Sequence, residues 1–446
     1  MSGTLITIGR SGAAAARANL ELTAQNIANA GNADYSRRLL GQTELVGTGT
    51  VFGYSGTTYG GVRLGSVQRA QNELLQAQVR GSTSNLAQAD AELAGLRGSE
   101  TALENSQLFE GLVDFEATLT RLASDPLEPA LRISALESAR QLANRFQVTD
   151  TALGEARSLV QSQTLGGVEE VNRQLASLAR INDELTRTEP DTAGQAGLFD
   201  QRDAALRALS EEVGIKVQIG ERGVVDVRLG DSSGPLVVDG TTSGVLSVGF
   251  AADGTASFTL DGTAVSPTSG ALAGRAGALT AQADLQVQLD DIATLTITRA
   301  NTAQTNGTAQ DGTTGQPLFS GTTAADMTLA LASGADLATA PAGAPANSRD
   351  ASNLASLITA IGGDNGPIAE SDALLLGLSS RIAGQETTRG ALATIAESSQ
   401  AALLSETSVD LDTEAANLVR LQQAFEASSR VIQVAVELFD TVLSLR

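Results

Sequence analysis

The chain of 446 residues contains no cysteine, no histidine and no tryptophan, and its single lysine is Lys216. Without His or Cys, neither a Ser-His-Asp nor a Cys-His nucleophilic site can be built, and zinc would have carboxylates alone as ligands. The lone lysine lies in an alternating strand pattern, so a G-x-x-x-x-G-K phosphate loop is excluded. Aromatic residues make up 3% of the chain, poor material for an enclosed small-molecule pocket, which usually has aromatic walls. The formal charge of −22 argues against nucleic acid and against an anionic membrane surface as partners, since both select basic patches. No run is long enough for a transmembrane helix, and the N-terminus lacks the basic region and continuous apolar core of a signal peptide. These features alone suggest a cytoplasmic protein. The absence of Cys fits a reducing compartment, and equally a chain exported unfolded that never forms disulfides.

Strings that superficially suggest catalysis have plainer readings. Gly230-Asp231-Ser232-Ser233-Gly234 is built of ordinary turn residues and reads as a hairpin loop. Glu169-Glu170 and Asp290-Asp291 are paired carboxylates, but neighbours on a helix point in different directions and sugar-stacking aromatics are scarce, so they read as solvated helix face. No enzymatic activity, cofactor or metal is expected.

What dominates instead is Ala, Gly, Ser, Thr, Leu and Gln, a composition suited to long helices with small residues at their contacts, and the length predicts two or three domains. From Leu411 a heptad seam runs through Ala415, Leu418, Gln422, Phe425, Ser429, Ile432, Val436, Phe439 and Leu443. A second row (Leu421, Ala424, Val431, Ala435, Leu438, Val442, Leu445) widens the apolar face beyond what one partner covers. A C-terminal helix docked on its own core is the bland reading. A seam at the other end opposes it: Gly3 to Asn29 reads as a helix with Leu5, Ile8, Gly12, Ala15, Asn19, Leu22, Asn26 and Asn29 in register, its small residues permitting close approach. Gly41 to Gly65 suggests short strands or extended loop.

Further along, helical patterns run over Ala70 to Leu122, Glu128 to Gln163, Val168 to Leu185 and Leu198 to Val213, with Asp125-Pro126 as an interruption. Alternation then takes over at Ile215, Val217 and Ile219, at Val225, Val227 and Leu229, and from Val245 to Leu260, with turns at Asp239, Asp253 and Asp261. Helices return over Leu272 to Ala303, Leu354 to Ile361 and Ile368 to Leu404, separated by a linker at Thr305 to Gly315 and an exposed Pro/Ala loop near Pro341 to Asn347.

Asn26-Ile27-Ala28-Asn29 followed by Tyr35 and Arg37, then Gly61-Val62-Arg63 and Val67-Gln68-Arg69, resembles the N-terminal signature of the bacterial flagellar rod, hook and hook-associated axial proteins. Val409-Asp410-Leu411 with Glu414-Ala415, Leu418, Gln422-Gln423-Ala424-Phe425 and Ala427 resembles their C-terminal signature. Departures are Asp34 for the usual Gly, Ala33 for a common Pro, and Phe425 for a common Tyr. Four long helices before the first central strand, with Ser124-Asp125-Pro126 leading into Ala139 to Phe146 and Leu198-Phe199-Asp200-Gln201-Arg202-Asp203 leading into Glu212 to Ile215, narrow the resemblance to the hook-associated protein 1 family.

The expected fold is mainly α with a small β domain, an α+β multidomain chain. Residues 1-65 plus 405-446 form a terminal coiled-coil polymerisation domain, 66-214 plus 271-404 a helical bundle, and 215-270 an inserted β-rich outer domain. The resemblance implies a structural subunit of the hook–filament junction, extracellular on the flagellum and needed for motility. It implies export through type III secretion without a cleaved signal peptide. Implied partners are further copies of itself, the hook protein, the second junction protein and an export chaperone. Expected interface residues are Leu5, Ile8, Leu22, Asn26, Ile27, Asn29, Tyr35, Arg37, Leu411, Glu414, Leu418, Gln422, Phe425, Ile432, Val436, Phe439 and Leu443, and Leu418, Phe425, Ile432 and Phe439 are candidate chaperone anchors. The alternative is a secreted binding protein with flagellar-type ends and a ligand-binding β domain.

Overall fold

The computed structural model describes residues 2–32, 34–45 and 60–444; Ala33, Gly47 to Gly56 of the glycine-rich stretch, and Leu445 lie outside them, as do the side chains of Val442 and Leu443. In chain order the elements are α1 (Ser2–Asn29), β1 (Arg38–Leu45), β2 (Gly61–Arg69), α2 (Glu73–Ser106), α3 (Leu108–Ser124), α4 (Pro129–Arg187), α5 (Ala193–Glu212), β3 (Ile215–Ile219), β4 (Val225–Leu229), β5 (Leu236–Asp239), β6 (Thr242–Ser243), β7 (Leu246–Phe250), β8 (Ala256–Leu260) and β9 (Thr263–Val265). There follow α6 (Ala271–Thr305), β10 (Gly307–Thr308), β11 (Phe319–Ser320), β12 (Thr328–Leu329), β13 (Ala340–Pro341), α7 (Ser352–Gly362), α8 (Pro367–Thr407) and α9 (Leu411–Ser444). Among the described residues, no helix is long and apolar enough to cross a membrane. The chain divides into two compact units, one of residues 1–83, 171–245 and 394–446, the other of 84–170 and 246–393.

The second unit is a helical bundle around one apolar cluster. Its contributors are Leu96 of α2; Leu112, Phe115 and Leu119 of α3; Leu142 and Phe146 of α4; Leu289 and Ala293 of α6; Ile361 of α7; and Leu378 of α8. Phe115 meets Phe319 edge-on at 6.1 Å between ring centres. With so few aromatics, buried polar side chains do much of the fixing of irregular chain. Arg132, 2% exposed, donates from Nη1 to the carbonyls of Gly334 (3.0 Å) and Leu337 (2.9 Å) and from Nη2 to Thr339 Oγ1 (2.9 Å). Asn301 bonds both ways with the backbone of Phe319, and Asn353 donates to the carbonyls of Ala303 and Ala338.

In the first unit α1 lies against α9 and β1 pairs antiparallel with β2. A four-stranded antiparallel sheet runs in the order β3-β4-β5-β6. Buried Asn182 of α4 ties that sheet down by accepting from Val225 N (3.0 Å) and donating to the carbonyls of Val225 (2.8 Å) and Gly240 (2.6 Å).

The helical reading stands, with four differences. The pattern from Ala70 to Leu122 breaks at Gln107, which takes a left-handed conformation (φ 52°) while its carbonyl accepts from Arg145. The two helices expected over Glu128 to Gln163 and Val168 to Leu185 are one, the 59-residue α4. Gly166 and Gly167 lower helix propensity there by about 1 kcal/mol each, and the buried row Val160, Thr164, Val168, Val171 carries the helix through. Residues 215-270 are not one β domain: β3–β6 and β7–β9 are separate sheets, falling in different units. The break comes at Gly244-Val245, where alternation stops, so a continuous alternating sequence concealed two ladders. The linker at Thr305 to Gly315 is folded: β10 pairs with β13, and Thr308 is buried and donates to the carbonyl of Pro341. The predicted turns did form, most simply at Asp261-Gly262, where both residues have positive φ (50° and 83°) between the paired Leu260 and Thr263.

Candidate assembly surface and its polar junction

Three stretches far apart in sequence meet at the end of α1. Asn26, 1% exposed, behaves as a strand partner would: its Nδ2 donates to the carbonyl of Arg38 (2.9 Å), and its Oδ1 accepts from Arg38 N (3.0 Å) and from the Tyr35 hydroxyl (2.8 Å). This fixes the chain leaving α1. Arg37, next in line, receives Thr407's carbonyl on its backbone N–H and sends its side-chain Nε to Glu414 Oε1 at 2.7 Å. Glu414 lies one turn into α9, where the helix start also favours a carboxylate.

The neighbouring arginines point to α5. Arg38 stacks over the Tyr35 ring and donates to Asp200 Oδ2 (2.8 Å). Arg69 of β2 pairs with Asp200 (2.9 Å) and donates to Asp203 Oδ2 (2.6 Å) and to Ser36 Oγ. Asp203 also accepts from Arg202 and from Gln76. Burial alone would push the Asp203 carboxyl up, but Arg202 and Arg69 outweigh it and hold the group below the ordinary carboxylate value. At Asp200 burial wins over Arg69 and Arg38, and the carboxyl is raised. Burial likewise raises the Tyr35 phenol. Such a network contributes little net stability over an apolar replacement, but removing one partner strands a buried charge.

The terminal helices touch through small residues. A Cβ added at Gly9 would fall 2.7 Å from Ile432 Cγ1 and 3.2 Å from the Ser428 carbonyl, and one at Gly12 would fall 2.9 Å from Ser428 Oγ. On α1, Ala15, Leu22 and Asn26 are buried, Ile27 and Asn29 are half-buried, and Leu5 and Ile8 are exposed. On α9 the covered row is Glu414, Leu418, Leu421, Ser428, Ile432 and Ala435. Of the seam expected from Leu411 onward, Leu418 and Ile432 lie in that row. Leu411, Gln422, Phe425, Val436 and Phe439 stay exposed, Phe439 at 48%, and the Leu443 side chain lies outside the described residues. Leu418, Phe425, Ile432 and Phe439 recur every seven residues, yet Leu418 and Ile432 are half-buried while Phe425 and Phe439 stay open; Leu421, Ser428 and Ala435, also seven apart, complete the covered row. Val431, Val434 and Leu438 add to the uncovered area.

Sequence reading named Asn26, Tyr35, Arg37 and Glu414 and the structure brings these four together. It quoted Arg69, Asp200, Arg202 and Asp203 only as carriers of the resemblance, and did not name them or Arg38 as site residues. Two signals were available: the doubled Arg37-Arg38, and alternating charge in Asp200-Gln201-Arg202-Asp203, on a helix whose Arg202 falls in the apolar row with Leu198, Leu206 and Leu209. The other strings resolve as turns or helix surface. Asp231 accepts from Ser233 N and Oγ in the β4–β5 loop, and Asp290 accepts from Ala324 N.

Comparison with known proteins agrees with this geometry. Residues 400–445, the end of α8 and α9, match the family described as flagellar basal body rod FlgEFG protein C-terminal. The chain thus ends in an element similar to that of flagellar rod proteins. Residues 100–319 match the flagellar hook-associated protein FlgK helical domain. The chain is 25% identical over 487 residues to flagellar hook-associated protein 1 of Bacillus subtilis, spanning 96% of each. It is 28% identical over 244 residues to the protein of that name from Salmonella typhimurium, 54% of this chain and 43% of that one, so this match spans less than half of the Salmonella protein. The fold is similar to the flagellar hook junction protein FlgK from Burkholderia pseudomallei (TM-score 0.64, 13% identity, 73% of this chain and 99% of that one). In its helical domain and its C-terminal element the chain is thus similar to the flagellar hook-associated protein 1 family.

Proposed function

We propose that this protein is a structural subunit of the bacterial flagellum at the junction of hook and filament, polymerising through residues 1-65 plus 405-446. The observation that carries the reading is the incomplete cover of the paired ends: α1 occupies one side of α9, while Phe425, Val431, Val434, Val436, Leu438 and Phe439 remain in solvent. Large apolar residues exposed in this number on one helix mark an interaction surface. Neighbouring copies of the chain would bury it in a ring or tube, with hook protein on one side and the second junction protein on the other. Before assembly an export chaperone would cover the row Leu418, Phe425, Ile432 and Phe439, seven residues apart, taking the place of α1 at Leu418 and Ile432. The chain would then act outside the cell, exported without a cleaved signal, and carry out no catalysis. The alternative is a secreted binding protein with flagellar-type ends, in which one of the two sheets of residues 215-270 would bind a ligand. Electron microscopy of flagella from a strain lacking the natural gene product, complemented with chains deleted for residues 410–446, tests the proposal. Loss of filaments with hooks retained is expected; normal filaments would reject it.

A further inference from the structure

Within the first unit, a cavity of about 280 Å³ is bounded by the loop after α1, by α2, by α5 and by the last turns of α8. One wall is apolar, formed by Val79, Leu403 and Leu404; the other carries Arg69 and Arg80. Arg69 has only 5% of its side chain exposed, and its Nη1 has no hydrogen-bond partner. Arg80 makes no hydrogen bond or ion pair among the described residues, and burial pulls its pKa down. Arg69, Arg80 and Arg207 line the cavity with Asp34 and Asp203, three guanidinium groups to two carboxylates, and Arg69 pairs with Asp203 and Arg207 with Asp34. Glu73 is exposed and reaches Arg80 only through space. A local cationic excess in a chain of net charge −22, on guanidinium groups largely withdrawn from water, is a standing cost that a bound anion would offset.

We propose that this cavity is a binding site for a small organic oxoanion, with its charged end on Arg80 and Arg69 and a short aliphatic body against Leu403 and Leu404. A guanidinium fork takes either a carboxylate or a phosphate group, which makes oxoanion the common chemistry. The width of the apolar wall favours an occupant with a few carbons over a bare inorganic ion. The inference is independent of any role in polymerisation.

Thermal unfolding of the full chain, monitored in butyrate, in inorganic phosphate and in sodium chloride at matched ionic strength, tests it. Butyrate at roughly ten times its dissociation constant should raise Tm by about 2 °C or more over the chloride control. A larger response to butyrate than to phosphate identifies the apolar wall as part of the site, and the reverse identifies the phosphate group as the preferred headgroup. Arg80→Gln should lose the response to both. Leu404→Glu places a carboxylate in the cavity from within, so it should melt above the wild type without added anion and no longer respond to butyrate. Absence of any anion-specific rise in the wild type, an equal rise in Arg80→Gln, or an undiminished response in Leu404→Glu overturns the proposal.

Discussion

Arg37 and Glu414, 377 positions apart in the chain, form an ion pair of 2.7 Å in which the carboxylate is 2% exposed and the guanidinium partly open to water. The pair joins the segment that leaves α1 to the first turn of α9, and so fixes how the two chain ends enter their common helix pair. The asymmetry of burial sets the expected effect of breaking it. Arg37→Ala strands a buried carboxylate and should cost about 3 kcal/mol, whereas Glu414→Gln leaves a neutral acceptor for Arg37 and should cost about 1 kcal/mol. Urea unfolding of the two variants, with circular dichroism as readout, compares them; equal losses would mean that the carboxylate is not held as described.

The glycine contacts predict an ordering along α1. Gly9→Val pushes a branched side chain into Ile432 and into the Ser428 carbonyl, which is backbone and cannot swing away. Gly12→Ala meets only the Ser428 hydroxyl, which can rotate. Limited proteolysis should therefore trim both ends of the Gly9→Val monomer faster than those of the wild type, as unpacked termini are cut first, and leave Gly12→Ala near wild type. Identical digestion of all three would contradict the close approach of the helices.

Gly12 and the Asn26 to Arg37 signature were legible from the sequence because each is tied to local chemistry: a small residue in a heptad row, and residue types that end a helix; Gly9 lies one position off that row and was not. The covered side of α9 was not legible. Its apolar face is wide enough to offer several rows, and only the shape of the partner decides which of Leu421 or Phe425 is covered. The arginine and aspartate network was hidden for a related reason. Arg38, Arg69, Asp200 and Asp203 lie on three elements, and no spacing rule links β2 to α5. The division of residues 215-270 into two sheets depends on pairing partners, which alternation does not specify.

Acid should expose the opposed environments of the two aspartates. The folded Asp203 carboxyl is depressed, so its contribution to stability is complete above the ordinary carboxylate pKa and is lost as pH falls through that value toward its folded one. Asp200 is raised, so its ionised form opposes folding, and that penalty is relieved as pH falls through its raised value. Asp203→Asn should flatten the loss of stability between pH 6 and 3, and Asp200→Asn should steepen it. Urea midpoints across that range check the pair; slopes that change in the same direction would contradict the assignment.

Arg132 offers a test of the helical bundle alone. Its guanidinium serves four carbonyls, those of Pro126, Gly334, Ala335 and Leu337, and the Thr339 hydroxyl, with no carboxylate paired to it. Arg132→Met removes the cation and leaves those acceptors dry, at a cost of about 3 kcal/mol. Arg132→Lys should recover little of the loss, since a single ammonium cannot span the same fork of partners. Full recovery by lysine in urea unfolding would show that charge, and not geometry, holds the loop.

The claim that the apolar residues of α9 left open by α1 form the assembly surface is tested most directly at Phe439, which is exposed in the monomer. Purified Phe439→Asp should unfold at the same urea concentration as the wild type, because a surface charge changes stability by less than about 0.5 kcal/mol. In flagella of a strain that carries only this variant, electron microscopy should show hooks without filaments. Normal filaments on those hooks, with the substitution verified in the assembled protein, would contradict the account.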